Sequence, residues 1–144
     1  MPRYFTLSEA RAALPLVGRS MREAIHSKTR HSEAENSLNH LTQRILMSGG
    51  IQVDTAQAEA WKNQYDSSAA ALKSALERIE EMGVLVKDLD TGLVDFPTLF
   101  EDREVYLCWR VDESDIAHWH GVEEGFAGRK AIDRHFIDHH RGEQ

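Results

Sequence analysis

Apolar residues recur at Leu7, Ala10, Leu14, Val17, Met21 and Ala24, with Ile25 beside them, and resume at Leu38, Leu41 and Ile45. Steps of three and four residues place them on one face of a helix. Thr6-Leu7-Ser8-Glu9 supplies its start: in a capping box the first side chain accepts from a free backbone amide and the glutamate reaches back to another. Pro15 lacks an amide proton and crowds the turn before it, so the pattern predicts a kink or a short lead-in helix. Ser48-Gly49-Gly50 marks the end, and Asp54-Thr55-Ala56-Gln57 offers a second cap. The next stripe, Ala58, Trp61, Tyr65, Ala69, Leu72, Leu76 and Ile79, is again helical and stops at Gly83. A short connection makes the two helices antiparallel neighbours, an αα-hairpin over residues 7–82.

A helix of roughly 40 residues is about 60 Å long, more than a small sheet can cover. Part of the hairpin therefore stands clear. The polar break Lys28–Glu33 should lie across from Ser67–Ala71, with Leu38, Leu41, Ile45, Trp61 and Tyr65 towards the tip. Two helices alone bury little, so the expectation is self-association through the hairpin, a four-helix arrangement of two chains.

After Gly83 the period falls to two. Val84–Lys87, Leu93–Phe96, Glu104–Trp109 and Ile116–His120 read as strands of a simple antiparallel meander. Alternation sorts Val84, Val86, Val94, Phe96, Val105, Leu107, Trp109, Ala117 and Trp119 onto one apolar face, which needs the hairpin against it. Leu85, Lys87, Asp95, Tyr106, Cys108, Arg110, His118 and His120 fall on the other. The expected class is α+β: a long antiparallel helical hairpin followed by a small β-meander packed on it by one face. One domain over 1–132 would hold hairpin, sheet and loop, with 133–144 as a His-rich tail, a frayed, hydrated end.

With 144 residues, 41% of them apolar, one core suffices. No run of 18 apolar residues occurs and the first residues lack a secretion-signal layout, so neither membrane nor export is expected and the chain reads as cytoplasmic. The single cysteine excludes an internal disulfide. The net charge of −7 is uneven: residues 1–30 carry six basic and two acidic side chains, residues 77–124 four basic and fourteen acidic. An acidic face repels a phosphate backbone, and the basic start carries no recognition motif, so nucleic acid is not an expected partner.

The polar sheet face is where chemistry is sought first. Asp95, Tyr106 and His120 should form one cross-strand row and Leu93, Cys108 and His118 the next. Imidazole, thiolate and carboxylate are ligands of zinc and similar divalent metals, and two histidines at i and i+2 on a strand point the same way. Asp95, Cys108, His118 and His120 are thus candidate metal ligands. The bland alternative is a solvated face of histidines bonded to neighbouring carboxylates, with Cys108 and Tyr106 as packing. Asp88-Leu89-Asp90-Thr91-Gly92 lacks the remaining ligands of a calcium loop and reads as a turn. The loop around Gly125, Gly128 and Arg129 can offer amides and cations to an anion, or fold over the polar face and bring Glu123, Glu124 or Arg129 to it. His135 and His139 are one helical turn apart, without the glutamate of zinc proteases. There is no Ser/His/Asp constellation or phosphate-binding Walker pattern.

Tyr4–Ala10 with Leu14–Val17, Gly83–Pro97, Val105–Arg110, Trp119-His120 and Glu124–Arg129 together resemble a bacterial family, domain-of-unknown-function family 2203, to about Ile132. The resemblance brings no established activity. It implies one site drawn from the Asp88–Asp95 segment, Trp109, His120 and the Gly125–Arg129 loop. The tail histidines fall outside it. The functional expectation is a non-enzymatic binding and assembly module with a divalent-metal site, set against a small metal-dependent hydrolase and against a purely structural interaction domain. A flat, open polar face would count against both metal readings.

Overall fold

The computed structural model describes residues 3–49 and 54–142; Gly50, part of the expected helix stop, lies outside them. Helix α1 (Leu7–Ser48) is followed by α2 (Thr55–Glu81) packed against it. The expected start forms, with the Thr6 amide donating to Glu9 Oε1 at 3.0 Å and the Glu9 amide to Thr6 Oγ1 at 3.1 Å. Asp54 Oδ1 likewise caps α2 through the Gln57 amide, 3.2 Å away. Pro15 begins no new element: α1 runs unbroken across it, without a lead-in helix. One missing amide near the start of a 42-residue helix removes one hydrogen bond of many.

The chain forms an α+β fold, as the change of period requires. The strands are β1 (Leu85–Asp88), β2 (Leu93–Phe100), β3 (Arg103–Arg110), β4 (His118–Gly121), β5 (Lys130–Ala131) and β6 (His140–Arg141), with a short helix α3 (Arg134–His139) between the last two. The sheet order is β1-β2-β3-β4-β5, antiparallel throughout, and β6 pairs with β2. Backbone contacts divide the chain into two compact units, one of residues up to Arg22 together with those from Leu76 onward, the other Glu23–Ala75.

The first unit holds the core. Ala10, Val17 and Met21 from the start of α1 and Ile79 from the end of α2 pack with Val94, Phe96, Val105, Leu107 and Trp109, the sheet's apolar face. Two residues depart from expectation before β4: Ala117 is exposed and Ile116 is fully buried. Strand alternation starts only at His118, so it does not govern them. Gly83 ends α2 with φ +84, and a Cβ there would lie 2.8 Å from the Arg3 Cβ, which only glycine avoids.

The second unit is bound through small side chains. Ala24, Ser27, Ala34, Ser68 and Ala75 are buried there. The polar break touches the small residues at Ser68, whose Oγ lies 3.4 Å from His31 Nδ1, but its other contacts fall on the residues just before them: His31 stacks on Tyr65 at 4.2 Å, its Nδ1 lies 3.1 Å from the Tyr65 carbonyl, and Gln64 Nε2 donates to Arg30 O at 2.9 Å.

The His-rich end is not frayed. Asp133 caps α3 through the Phe136 amide at 2.8 Å, and Phe136 is fully buried against Phe100 and Trp119. His140 Nδ1 faces the Ile137 carbonyl at 2.8 Å, which accepts its proton and leaves Nε2 to accept from the Leu7 amide at 2.9 Å. Residues 133–142 therefore belong to the sheet-bearing unit, because one buried aromatic ring and a strand pairing outweigh a hydrophilic composition.

Candidate metal centre

Period two puts Asp95, Cys108, His118 and His120 on the same face of the sheet; β3 and β4 pair in the expected register, but β2 is offset by two residues against β3. Asp95 stands opposite Cys108, and Cys108 opposite His118, while Tyr106 stands opposite Pro97 and His120. The expected row joined Asp95 to Tyr106. β2 instead continues to Phe100 and turns on only two residues, Glu101 and Asp102, both at positive φ (51 and 64). A slip of two residues keeps every face and exchanges every neighbour.

The exchange brings three candidate ligands together. One ligand atom each of Asp95, Cys108 and His120 lies within 4.8 Å of the others. Asp95 and His120 sit on β2 and β4 and reach across the intervening β3, closing to 3.0 Å between Oδ1 and Nε2. At these three positions the face is not the solvated one of the alternative reading: Asp95, Cys108 and His120 are 1%, 0% and 3% exposed.

Hydrogen bonding assigns the protons. His120 Nδ1 lies 2.8 Å from Gly121 O, which only accepts, so Nδ1 carries a hydrogen. Nε2 is then directed at Asp95, with one proton shared between them. A backbone carbonyl fixing Nδ1–H while Nε2 faces the ligand set is the usual support of a metal-binding histidine. Asp95 Oδ2 is buried without a hydrogen-bond partner. Burial pushes the Asp95 carboxyl up from the usual carboxylate range, against the opposing pull of the His120 charge and hydrogen bond and of Lys87. The Cys108 thiol is pushed up to about 11, first by burial and then by the Asp95 charge, with Arg129 opposing. Such a thiol is a poor nucleophile at neutral pH; a bound cation reverses this by stabilising the thiolate.

The loop does fold towards this face. Arg129 spans the Glu113 carboxylate with two bonds, 3.1 and 3.0 Å, and lies 4.1 Å from the centre of the Phe126 ring. Burial pushes Glu113 up, but the Arg129 bonds and the Arg110 amide outweigh it and hold the carboxyl below its usual range. Gly125 and Gly128 bracket a single 3-10 turn, Phe126–Gly128. Glu124 accepts from the Gly121 amide at 2.8 Å and from Lys130 at 2.6 Å. Both cations of the expected anion loop are thus committed to carboxylates.

The remaining candidates do other work. Asp88 Oδ1 accepts from the Asp90 amide at 2.9 Å within an exposed turn, as read from sequence, and neither acid joins the ligand set. Tyr106 stands edge-on to His120 at 5.6 Å and donates to Glu104 at 3.3 Å. Trp109 is on the opposite, core face, because its register partner is Val94; its indole N–H donates at 3.1 Å to Glu113 O, in the turn that also holds Arg129. His118 is half-buried beside Cys108, its Nδ1 buried without a partner, outside the close set of three. Sequence reading passed over Glu113; one of three acids in Asp112-Glu113-Ser114-Asp115, with a loop arginine far downstream, is too common a pattern to single it out.

The family model described as "Uncharacterized conserved protein (DUF2203)" matches residues 3–132. The chain belongs to this family. The match covers the sheet, the cluster and the loop but ends before α3, so the segment carrying Phe136 and His140 lies beyond what the DUF2203 model describes. No curated protein and no solved structure matches the chain. Among the described residues no helix is long and apolar enough to cross a membrane.

Proposed function

We propose that the chain is a binding and assembly module in which Asp95, Cys108 and His120 hold one divalent metal, zinc fitting best. The carrying observation is the buried carboxylate–thiol–imidazole set with its unpartnered Asp95 Oδ2. Zinc takes nitrogen and oxygen at about 2.0 Å and sulfur at about 2.3 Å, which sets ligand atoms roughly 3.2–3.6 Å apart on a tetrahedral ion. The Asp95–His120 separation of 3.0 Å is already close to that. The rest of the set lies within 4.8 Å and would close on the ion as it binds. Thiolate with imidazole favours zinc over magnesium or calcium, which prefer all-oxygen shells.

The same reading makes the hairpin the assembly element and the reducing cytoplasm the compartment, where a thiolate ligand persists. A metal-dependent hydrolase would use the fourth position for water. The burial of all three ligand residues disfavours it, since substrate must reach the ion.

Elemental metal content of tag-free protein tests the proposal. Near-stoichiometric zinc in wild type, lost in His120→Ala and Cys108→Ala but kept in His135→Ala, is the expected result. Circular dichroism confirms that each variant is folded. Metal-free wild type that also fails to take up added zinc overturns the reading.

A further inference from the structure

The end of the hairpin is short of burial. Among the described residues between Ala34 and Ser68 no side chain is fully buried, although Leu38, Leu41, Ile45, Trp61 and Tyr65 lie there. Two grooves flank these residues. One, about 480 Å³, is lined by Leu41 and Trp61 with His40 and Arg44, and its charge is only basic. The other, about 540 Å³, is lined by Leu38, Ala58 and Tyr65 and carries Glu59, Lys62 and Asp66. None of these last three forms a salt bridge within the chain among the described residues.

We propose that the groove of Leu38, Ala58 and Tyr65 seats the same groove of a second copy, about a twofold axis crossing α2 between Ala60 and Trp61. The inference rests on the assembly reading and specifies its interface. Residues 55, 58, 59, 62 and 66 share one helix face, being three or four apart. When two copies of a helix pack antiparallel about a twofold, facing residue numbers have a constant sum. With the axis at that place, Glu59 of each copy meets Lys62 of the other, giving two reciprocal ion pairs flanked by the apolar residues Ala58 and Tyr65. The second groove fails this condition. A twofold over it offers Arg44 of each copy no carboxylate in the facing groove, so its charge is left without a partner.

Sedimentation equilibrium on the full chain tests the interface with Glu59→Lys, Lys62→Glu and the double swap, all at exposed positions. Each single reversal turns two attractions into two repulsions and should raise the dimer dissociation constant about tenfold. The double swap should restore it, and Arg44→Glu, in the other groove, should leave it unchanged. A wild-type chain that stays monomeric up to about 1 mM overturns the dimer. A dimer indifferent to both single reversals overturns this groove while leaving self-association standing. Neither outcome alters the zinc content of the sheet-bearing unit, so the metal reading stands or falls separately.

Discussion

Phe136→Ala removes the ring that ties the C-terminal segment to the sheet. The side chain is 0% exposed and lies 4.8 Å from the Phe100 ring, 4.9 Å from Trp119 and 5.3 Å from His140, centre to centre. Removing a buried phenylalanine costs about 3–5 kcal/mol, of which about 1.5–3 is the lost transfer from water and the rest the unfilled cavity. Against a typical total of about 5–15 kcal/mol for a domain, that is a large fraction. Urea unfolding should show the midpoint falling with little change in slope, reported by circular dichroism and by tryptophan fluorescence. Ile137→Ala, at a neighbouring side chain 43% exposed, should cost under about 1 kcal/mol. A loss below about 1 kcal/mol for Phe136→Ala would mean that the segment is not part of the core, refuting the packing argument.

Glu9→Ala should cost about 1 kcal/mol by removing half of the capping box. The Thr6 amide and hydroxyl hold the Glu9 carboxyl below its usual value of 4.5, so this stabilisation is full above that pH and fades as pH falls through the lowered folded value; the variant should show a flatter acid limb in a thermal scan against pH. Gly83→Ala should destabilise by about 1–2 kcal/mol in urea unfolding, through left-handed backbone and contact with Arg3, and a neutral result would contradict the turn geometry. Asp102→Gly should stabilise by about 0.5 kcal/mol in the same assay, since glycine adopts its positive φ without strain and the lost Arg141 ion pair is exposed. Cys108, buried and with its thiol raised to about 11, should react with a thiol reagent only on unfolding; rapid labelling of native protein would show the site open.

The helices were legible because their signals are local. Both caps form where the residues at Thr6–Glu9 and Asp54–Gln57 place them, and the apolar stripes bury fully where they meet the sheet-bearing unit, at Leu7, Ala10, Val17, Met21 and Ile79, though not towards the tip. The sheet's two faces were legible for the same reason, since alternation survives any even slip. Register was not. Glu101 and Asp102 do not advertise a two-residue turn as Asn-Gly does, and Pro97 inside β2 argues for ending the strand early. The proline is accommodated: its carbonyl accepts the Phe5 amide at 2.7 Å. Of the proposed ligands, Asp95, Cys108 and His120 converge and His118 stands aside, a distinction that depends on side-chain direction across three strands. The role of residues 133–142 was hidden because its pairing partner, β2, lies far away in sequence.

One edge of β2 is completed from three separate places. β1 pairs with Leu93–Asp95, the Phe5 amide meets Pro97, and β6 pairs with Leu99 and Phe100. His140 meanwhile bonds the first turn of α1 across a separation of 133 residues. Contacts of such long span slow folding, because loop closure must precede any gain from the contact. The hairpin's own cross-links span far less, 34 residues from Arg30 to Gln64. Folding should therefore proceed in two kinetic stages, helical signal appearing early and the Phe5 and Leu7 amides becoming protected from hydrogen exchange only in the last. The proposed metal ligands on β2, β3 and β4 share that late stage with the edge, so the cluster of Asp95, Cys108 and His120 is finished only when the two ends of the described chain meet on one strand.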